Sequence, residues 1–328
     1  MEPIKLGIIG CGIAANELHW PALKNLQDKF QITMVCNNTG KKARAFAQRV
    51  GDVPFVLDYQ EILRNPEVEA VDIALPIYLN YQVVKDALTA GKHVFVEKPL
   101  AANLDEAGKL LRFSEGFSRV KMVGENWLYH PVFLRLKQMM DEGQIGEPYG
   151  IFWDVLQRVT LDSKYARTQW RIDHKHRGGF ITDGGIHNIA ALRLMFEEII
   201  AGSAFAKSVN PEIGEVDTLS FQFETKRHAH GILNIFRSPQ GVAKNDLLIL
   251  GTTGSIVVEA NKKVMVKQAD GSERIEMFEN DTSYRAEFED FYSAIRNHTS
   301  VRSSFAQAYR DLQVLLLALE RATKFHEN

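Results

Sequence analysis

The sequence predicts an α/β domain built on a doubly wound parallel sheet, followed by an α+β domain with an open, mostly antiparallel sheet. Three observations carry this expectation. The first third of the chain alternates short β-rich runs with helical stretches, the pattern of βαβ units. After about Glu125, strand-like segments follow one another with short turns, the pattern of antiparallel pairing. Finally, 328 residues of which 45% are hydrophobic can bury a large core, and at roughly 150 residues per domain they suggest two domains. The division expected is 1–124 and 125–328.

The elements follow in order. Ile4–Ile9 is apolar and β-rich and stops at the glycines Gly10 and Gly12; a helical stretch interrupted by Pro21 then runs toward Gln27. Ile32–Cys36 reads as a buried strand, followed by an alanine-rich helix from Lys41 to Val50. Val71–Leu75 and His93–Glu97 repeat the strand pattern around an amphipathic helix from about Tyr78 to Ala90, with Gly91 where a helix C-cap glycine belongs. A helix at Leu104–Phe117 and a strand at Val120–Gly124 complete the alternation. Beyond it, a helix at Pro131–Glu142 ends in the turn Gly143–Gly146. Strands are then expected at Tyr149–Thr160, Thr218–Thr225, His230–Phe236, Asp246–Leu250, Ser255–Glu259 and Lys263–Gln268. Helices Tyr284–Asn297 and Phe305–Phe325 close the chain.

Composition excludes several classes. The ten prolines and the apolar fraction rule out a disordered or collagen-like chain. The 39 basic and 41 acidic residues leave a net charge of −2 with no basic block, so there is no footprint for a nucleic-acid backbone. No apolar run approaches the ~18 residues of a membrane helix. Met1-Glu2-Pro3 does not open a secretory signal. Two cysteines, Cys11 and Cys36, cannot build a disulfide framework and fit a reducing compartment. The expectation is a soluble, cytoplasmic protein.

Gly10, Cys11, Gly12, Ile13, Ala14 and Ala15 form a G-x-G-x-x-A loop between the first strand and the first helix. The first glycine permits a tight turn and the second lets backbone approach a pyrophosphate. The small last residue allows close helix–strand packing. A dinucleotide site is the reading favoured over a plain structural turn. At the end of the second strand, where an acidic residue would favour NAD, stand Asn37, Asn38 and Thr39, with Lys41 and Lys42 nearby. Two amides, a hydroxyl and a lysine suit a 2′-phosphate, so NADP is slightly preferred, with NAD the alternative.

Two further motifs carry chemistry. Glu97-Lys98-Pro99 follows a strand, at the carboxyl edge of a parallel sheet where ligands bind in doubly wound folds. Lys98 there could stabilise an alkoxide as hydride leaves, or could be half of a surface Glu–Lys pair. In the segment 178–187, Asp183 and His187 are four apart, so on a helix they share a face. Such a pair positions a substrate hydroxyl and exchanges its proton. A metal site using His174, His176 and Asp173 is the rival. Arg171, Lys175 and Arg177 make that segment a poor setting for a dication, and no metal is expected. Four further histidines, His228 and His230 on a strand and His298 and His326 near helix ends, read as surface residues.

In order, these features resemble the Gfo/Idh/MocA oxidoreductases, named for glucose–fructose oxidoreductase and inositol dehydrogenase. The resemblance covers nearly the whole chain. It rests on the loop at 10–15, Leu75-Pro76, the run Ala90–Pro99, Asn126–Pro131, Glu142–Gly146, Trp170-Arg171 and Gly178–His187. It implies a Rossmann domain at 1–124 and a substrate-binding domain at 125–328 whose open sheet serves a homodimer or homotetramer. It also implies that Lys98 lies near the nicotinamide and that Asp183 and His187 contact substrate, with His187 the acid/base. Leu75, Pro76, Asn80 (where a histidine is frequent), Glu97, Asn126, Trp170 and Arg171 are implied on the cofactor side. Four positions depart from the pattern: Asn37 for an acidic residue, Phe180 for a third glycine, Leu128 for an arginine and Ala190 for an aspartate.

The function expected is hydride transfer between NAD(P) and a secondary alcohol or ketone of a sugar or cyclitol. One alternative is reduction of a non-sugar carbonyl or a dihydrodiol-type substrate, favoured if Trp127, Leu128, Phe152 and Trp153 line a pocket. Another is a non-catalytic dinucleotide sensor. Cys11 and Cys36 are expected as small residues beside the dinucleotide, not as redox partners.

Overall fold

The computed structural model describes residues 2–172 and 175–322. Asp173, His174, Phe325 and His326 lie outside the described residues. The chain forms two compact units, one of 1–126 with 282–310 and one of 127–281 with the residues from Asp311 onward. The units are therefore not two consecutive stretches of sequence.

The first unit holds a six-stranded parallel sheet of β1 (Ile4–Ile9), β2 (Phe30–Cys36), β3 (Phe55–Val56), β4 (Ala70–Ile73), β5 (His93–Glu97) and β6 (Lys121–Gly124), in the order β3-β2-β1-β4-β5-β6. Ile4, Leu6, Ile8 and Ile9 in β1 and Val94, Phe95 and Val96 in β5 are buried, as strands covered on both faces require. The connecting helices are α1 (Trp20–Leu23), α2 (Gly40–Arg49), α3 (Tyr59–Arg64), α4 (Asn80–Thr89) and α5 (Leu104–Ser114). A π-helical turn, Ala15–His19, leads directly into α1. Asn103 caps α5 by accepting from the Glu106 N–H at 2.9 Å. β3 and α3 are not legible in the sequence, because two- and six-residue elements are too short to show a period.

The second unit contains α6 (Pro131–Asp141), β7 (Pro148–Leu156), α7 (Gln169–Ile172), α8 (Gly179–Phe196), β8 (Ile199–Lys207), β9 (Thr218–Thr225), β10 (His230–Phe236), β11 (Lys244–Gly251), β12 (Gly254–Glu259), β13 (Lys263–Gln268) and β14 (Glu273–Met277). These eight strands form one sheet ordered β14-β13-β12-β11-β7-β10-β9-β8. Every pair is antiparallel except β7 with β10, so the sheet is mixed. β7 ends at Leu156, short of the expected Thr160. His228 sits in the tight turn before β10 with φ +61°, not on a strand. β8 and β14, unannounced by sequence, are the two sheet edges. Edge strands lack a second buried neighbour, and β14 carries Glu273, Arg274 and Glu276 in place of an apolar alternation.

One face of this sheet bears an apolar row in cross-strand register. Ile232, Phe152, Leu248, Val257, Met265 and Ile275 follow one another across β10, β7, β11, β12, β13 and β14. Phe152 and Ile275 on it are exposed, whereas Trp153, pointing to the other face, is fully buried.

The chain ends in α9 (Ser283–Asn297) and α10 (Phe305–Glu320). The aromatic face of α9 explains why 282–310 clusters with the first unit. Phe288 stacks on Phe95 of β5 at 4.6 Å between ring centroids, Phe291 stacks on Phe30 of β2 at 6.4 Å, and Tyr292 meets Phe30 edge-on at 5.8 Å. Arg296 adds an ion pair to Glu69 at 2.9 Å. Phe288→Ala is expected to destabilise the protein by about 3–5 kcal/mol, read as a lowered urea midpoint. A midpoint equal to wild type would show that the stack does not hold α9 in place.

Candidate functional site

In the first unit the ends of β1, β2 and β4 meet at Gly10. Its φ is +105°, and a Cβ built there would lie 2.3 Å from the Ala74 carbonyl oxygen and 3.1 Å from the Leu75 side chain, so only glycine fits. The Gly10 N–H donates to the Cys36 carbonyl at 2.8 Å, and the Cys11 N–H donates to Asn37 Oδ1 at 3.2 Å. The loop is thus laced to the end of β2. By contrast, a Cβ at Gly12 would meet nothing within 4 Å. That open space beside half-buried Gly12, Ile13 and Ala14 fits the approach of a dinucleotide pyrophosphate. Asn38, Thr39, Lys41 and Lys42 are exposed beyond Asn37.

Cys11 and Cys36 are free and buried, and the Cys11 thiol donates to the Cys36 carbonyl at 3.4 Å. Burial pushes the Cys11 thiol up to about 12 and the Cys36 thiol up to about 11.

At the end of β5, Lys98 is half-buried, and the buried amide of Asn80 spans it. Asn80 Nδ2 donates to the Glu97 carbonyl at 3.0 Å and to the Pro99 carbonyl at 2.9 Å, across a cis Lys98–Pro99 bond. Asn126 is buried too, with Nδ2 donating to Ser283 Oγ at 2.9 Å.

The sequence reads as a helical run from Asn188 to Glu197; in the second unit α8 begins well before it, at Gly179, so Asp183 and His187 lie one turn apart on one helix. The helix can sit this close to the sheet because Gly184 and Gly185 lack side chains. Built Cβ atoms there would lie 2.5 Å from Arg237 Nη2 and 2.7 Å from Ile235 Cδ1. Phe180, in place of a glycine, fills a cluster with Ala166 and Ile213.

Asp183 Oδ2 accepts from Arg171 Nε at 2.8 Å. The guanidinium of Arg171 lies 4.1 Å over Trp170 and 5.0 Å over Tyr165, which fixes the carboxylate's partner in turn. The His187 ring stacks on Trp127 at 5.3 Å, and Trp127 stacks on Trp153 at 5.9 Å. Trp127, Leu128, Phe152 and Trp153 do not form one apolar wall, because alternation along β7 turns Phe152 to the opposite face from Trp153.

Comparison with known proteins identifies the family. Residues 4–125 fit the oxidoreductase family with an NAD-binding Rossmann fold, and residues 133–257 fit the GFO/IDH/MocA C-terminal domain. The chain belongs to the Gfo/Idh/MocA family of oxidoreductases. An uncharacterized Saccharomyces cerevisiae protein is 32% identical over 90% of this chain and 88% of its own length. An oxidoreductase crystal structure from Thermotoga maritima superposes with a TM-score of 0.92 at 36% identity, covering 98% of this chain and 97% of that one. A levoglucosan dehydrogenase in complex with NADH and levoglucosan shares the fold, with a TM-score of 0.86 at 24% identity over 98% of this chain and 97% of that one. This Gfo/Idh/MocA protein is an NAD(P)-dependent oxidoreductase.

Within the Gfo/Idh/MocA frame, the structure joins Gly10, Cys11, Leu75 and Asn37 in one cluster and Asn80, Glu97 and Lys98 in another. It joins Trp170, Arg171 and Asp183 in a third. Sequence reasoning missed Arg237. It is 6% exposed and donates through Nη1 to Gln157 at 3.1 Å. Burial lowers its guanidinium to about 10 against the opposing field of Asp183. Its signal was only a lone arginine after a strand. The stacking of Trp127 on His187, 60 positions apart, had no local sign. Among the described residues, no group of three or more His, Cys, Asp and Glu is arranged to hold a metal, and no helix is long and apolar enough to cross a membrane.

Both thiols are expected to stay unreactive toward a disulfide reagent at pH 8 in the folded protein and to react once it is unfolded in guanidinium. Rapid modification of the native protein would contradict the burial of Cys11 and Cys36.

Proposed function

We propose that the protein transfers a hydride between NADP(H) and a secondary alcohol or ketone of a sugar or cyclitol. The observation that carries this reading is the pairing on α8 of Asp183, ion-paired to Arg171, with His187, its ring stacked on Trp127. A fixed imidazole suits proton exchange with a hydroxyl. A carboxylate one turn away suits a neighbouring hydroxyl of a polyol. The bound nicotinamide would accept or supply the hydride at its C4. The chain's part is proton handling and orientation. His187 takes the hydroxyl proton in oxidation and returns it in reduction. Asp183 orients substrate through an accepted hydrogen bond, and Lys98 donates to the oxygen that gains negative charge. The levoglucosan in the dehydrogenase neighbour supports a sugar-like substrate.

Gly10, Cys11, Gly12, Ile13, Ala14, Leu75, Pro76 and Asn80 are proposed on the cofactor side, with Glu97, Asn126, Trp170 and Arg171. The preference for NADP rests on Asn37, Asn38, Thr39 and Lys42, where no carboxylate repels a 2′-phosphate. The apolar row on the open sheet supports assembly into a homodimer or homotetramer through that face.

Steady-state assays over a polyol panel test the roles. His187→Ala and Lys98→Ala are each expected to lower kcat by about 10²- to 10⁴-fold; unchanged turnover in both would refute the assignment. Fluorescence titration is expected to give a lower Kd for NADPH than for NADH, and Lys42→Ala to narrow the gap. Equal affinities would remove the NADP preference. Sedimentation is expected to show a dimer or tetramer that Phe152→Asp dissociates, and a monomeric wild type would dismiss assembly through the sheet.

A further inference from the structure

Beneath the Lys98 strand end, the first unit buries a charged cluster of which the proposed chemistry uses only Glu97. His19, in the turn that follows the glycine loop, is fully buried. Its Nδ1 lies 2.8 Å from Asp72 Oδ2 on β4, and its Nε2 lies 2.8 Å from Glu97 Oε1 at the end of β5. Phe95 and Phe288 meet the ring edge-on at 5.7 and 5.5 Å. From α9, Glu287 completes the surroundings, fully buried with both carboxyl oxygens lacking a hydrogen-bond partner among the described residues. Buried Glu125, just past β6, also acts on Glu287.

A neutral imidazole offers one N–H and one lone pair, whereas an ionised carboxylate only accepts. Carboxylates at both ring nitrogens therefore demand a second proton, which the imidazolium supplies. Burial opposes that cation, but the charges and hydrogen bonds of Asp72 and Glu97 outweigh it and hold His19 well above its ordinary value. Burial, helped by the charges of Glu97, Glu125 and Asp72, raises the Glu287 carboxyl well above the usual range despite the pull of His19.

An ion triad of this kind is a poor source of stability, since apolar residues of similar volume usually serve a core as well or better. Its placement is more telling. The triad links the turn after the glycine loop to Glu97, the residue before Lys98, while Asn80 grips the carbonyls on either side of Lys98. We propose that His19, as an imidazolium clasped by Asp72 and Glu97, is a positioning residue for Lys98: it anchors the strand end that carries the lysine and sets the charge environment of its ammonium group. This rests on the reading of Lys98 as a donor in the reaction.

The experiment uses full-length protein and no substrate. In the ¹⁵N-histidine-labelled protein at pH 8, His19 is expected to show two exchange-protected ring N–H protons that vanish in His19→Gln; a single ring N–H would overturn the imidazolium. Lysines are then reductively ¹³C-methylated, and the Lys98 resonance is identified by its absence in Lys98→Arg. His19→Gln leaves two carboxylates without their buried counter-cation and is expected to raise the Lys98 titration midpoint by about half a unit or more. Asp72→Asn removes one buried negative charge while keeping the side-chain shape, and is expected to lower the midpoint. If one variant fails to fold, the other decides. A Lys98 midpoint unmoved in the folded variants, with only the melting temperature reduced, would make His19 a structural residue and overturn the proposal. Full turnover in Lys98→Ala would instead remove the catalytic role of Lys98 while leaving the titration result standing.

Discussion

The first unit depends on the contact between Gly10 and the carbonyl of Ala74. With a side chain excluded there, the ends of β1 and β4 close to a distance that no other residue allows, and the Gly10 N–H can reach the Cys36 carbonyl at the end of β2. Three strand ends are thereby drawn to one edge. The Asn37 side chain then reaches the backbone of Cys11, and the space above Gly12 is left open. The same economy operates in the second unit, where two glycines inside α8 let the helix that carries Asp183 and His187 lie against Ile235 and Arg237. In each unit an absent Cβ brings the polar groups into place.

Those glycines also explain what could be read from the sequence. The loop at 10–15 is local, and strand, turn and helix follow one another without interruption, so its role is visible in a few residues. Lys98 and the Asp183/His187 spacing are equally local. In the second sheet, strands with a buried alternation such as His230–Phe236 announce themselves. The two edge strands do not, because one of their sides meets solvent and their composition loses the period. Helix α8 is harder to place at its start, since three glycines in its first seven residues argue against helix until its packing against the sheet is known.

What stayed hidden is long-range. His19 meets Asp72 across 53 positions and Glu97 across 78. Each of these residues looks ordinary in its own segment: a histidine in an amphipathic turn, an aspartate in a strand, a glutamate at a strand end. Only the parallel order β1-β4-β5 makes them neighbours. The same holds for Trp127 over His187 and for Arg237 behind Asp183, pairings that depend on the tertiary path of the chain rather than on spacing. The aromatic face of α9 likewise has a helical period in the sequence, but nothing in that period says that its partners are Phe30 and Phe95.

The return of 282–310 to the first unit has a consequence for the order of events during synthesis. The parallel sheet is complete once Gly124 has emerged from the ribosome, yet the aromatic rings that cover Phe30 and Phe95 are made more than 150 residues later. Until then those faces of the sheet are exposed to solvent, while the whole eight-stranded sheet of the second unit is being translated. The nascent chain therefore carries an unfinished apolar surface through much of its translation, the kind of surface that chaperones engage. The unit whose sheet is translated first is the one that must wait for the end of the chain to be finished.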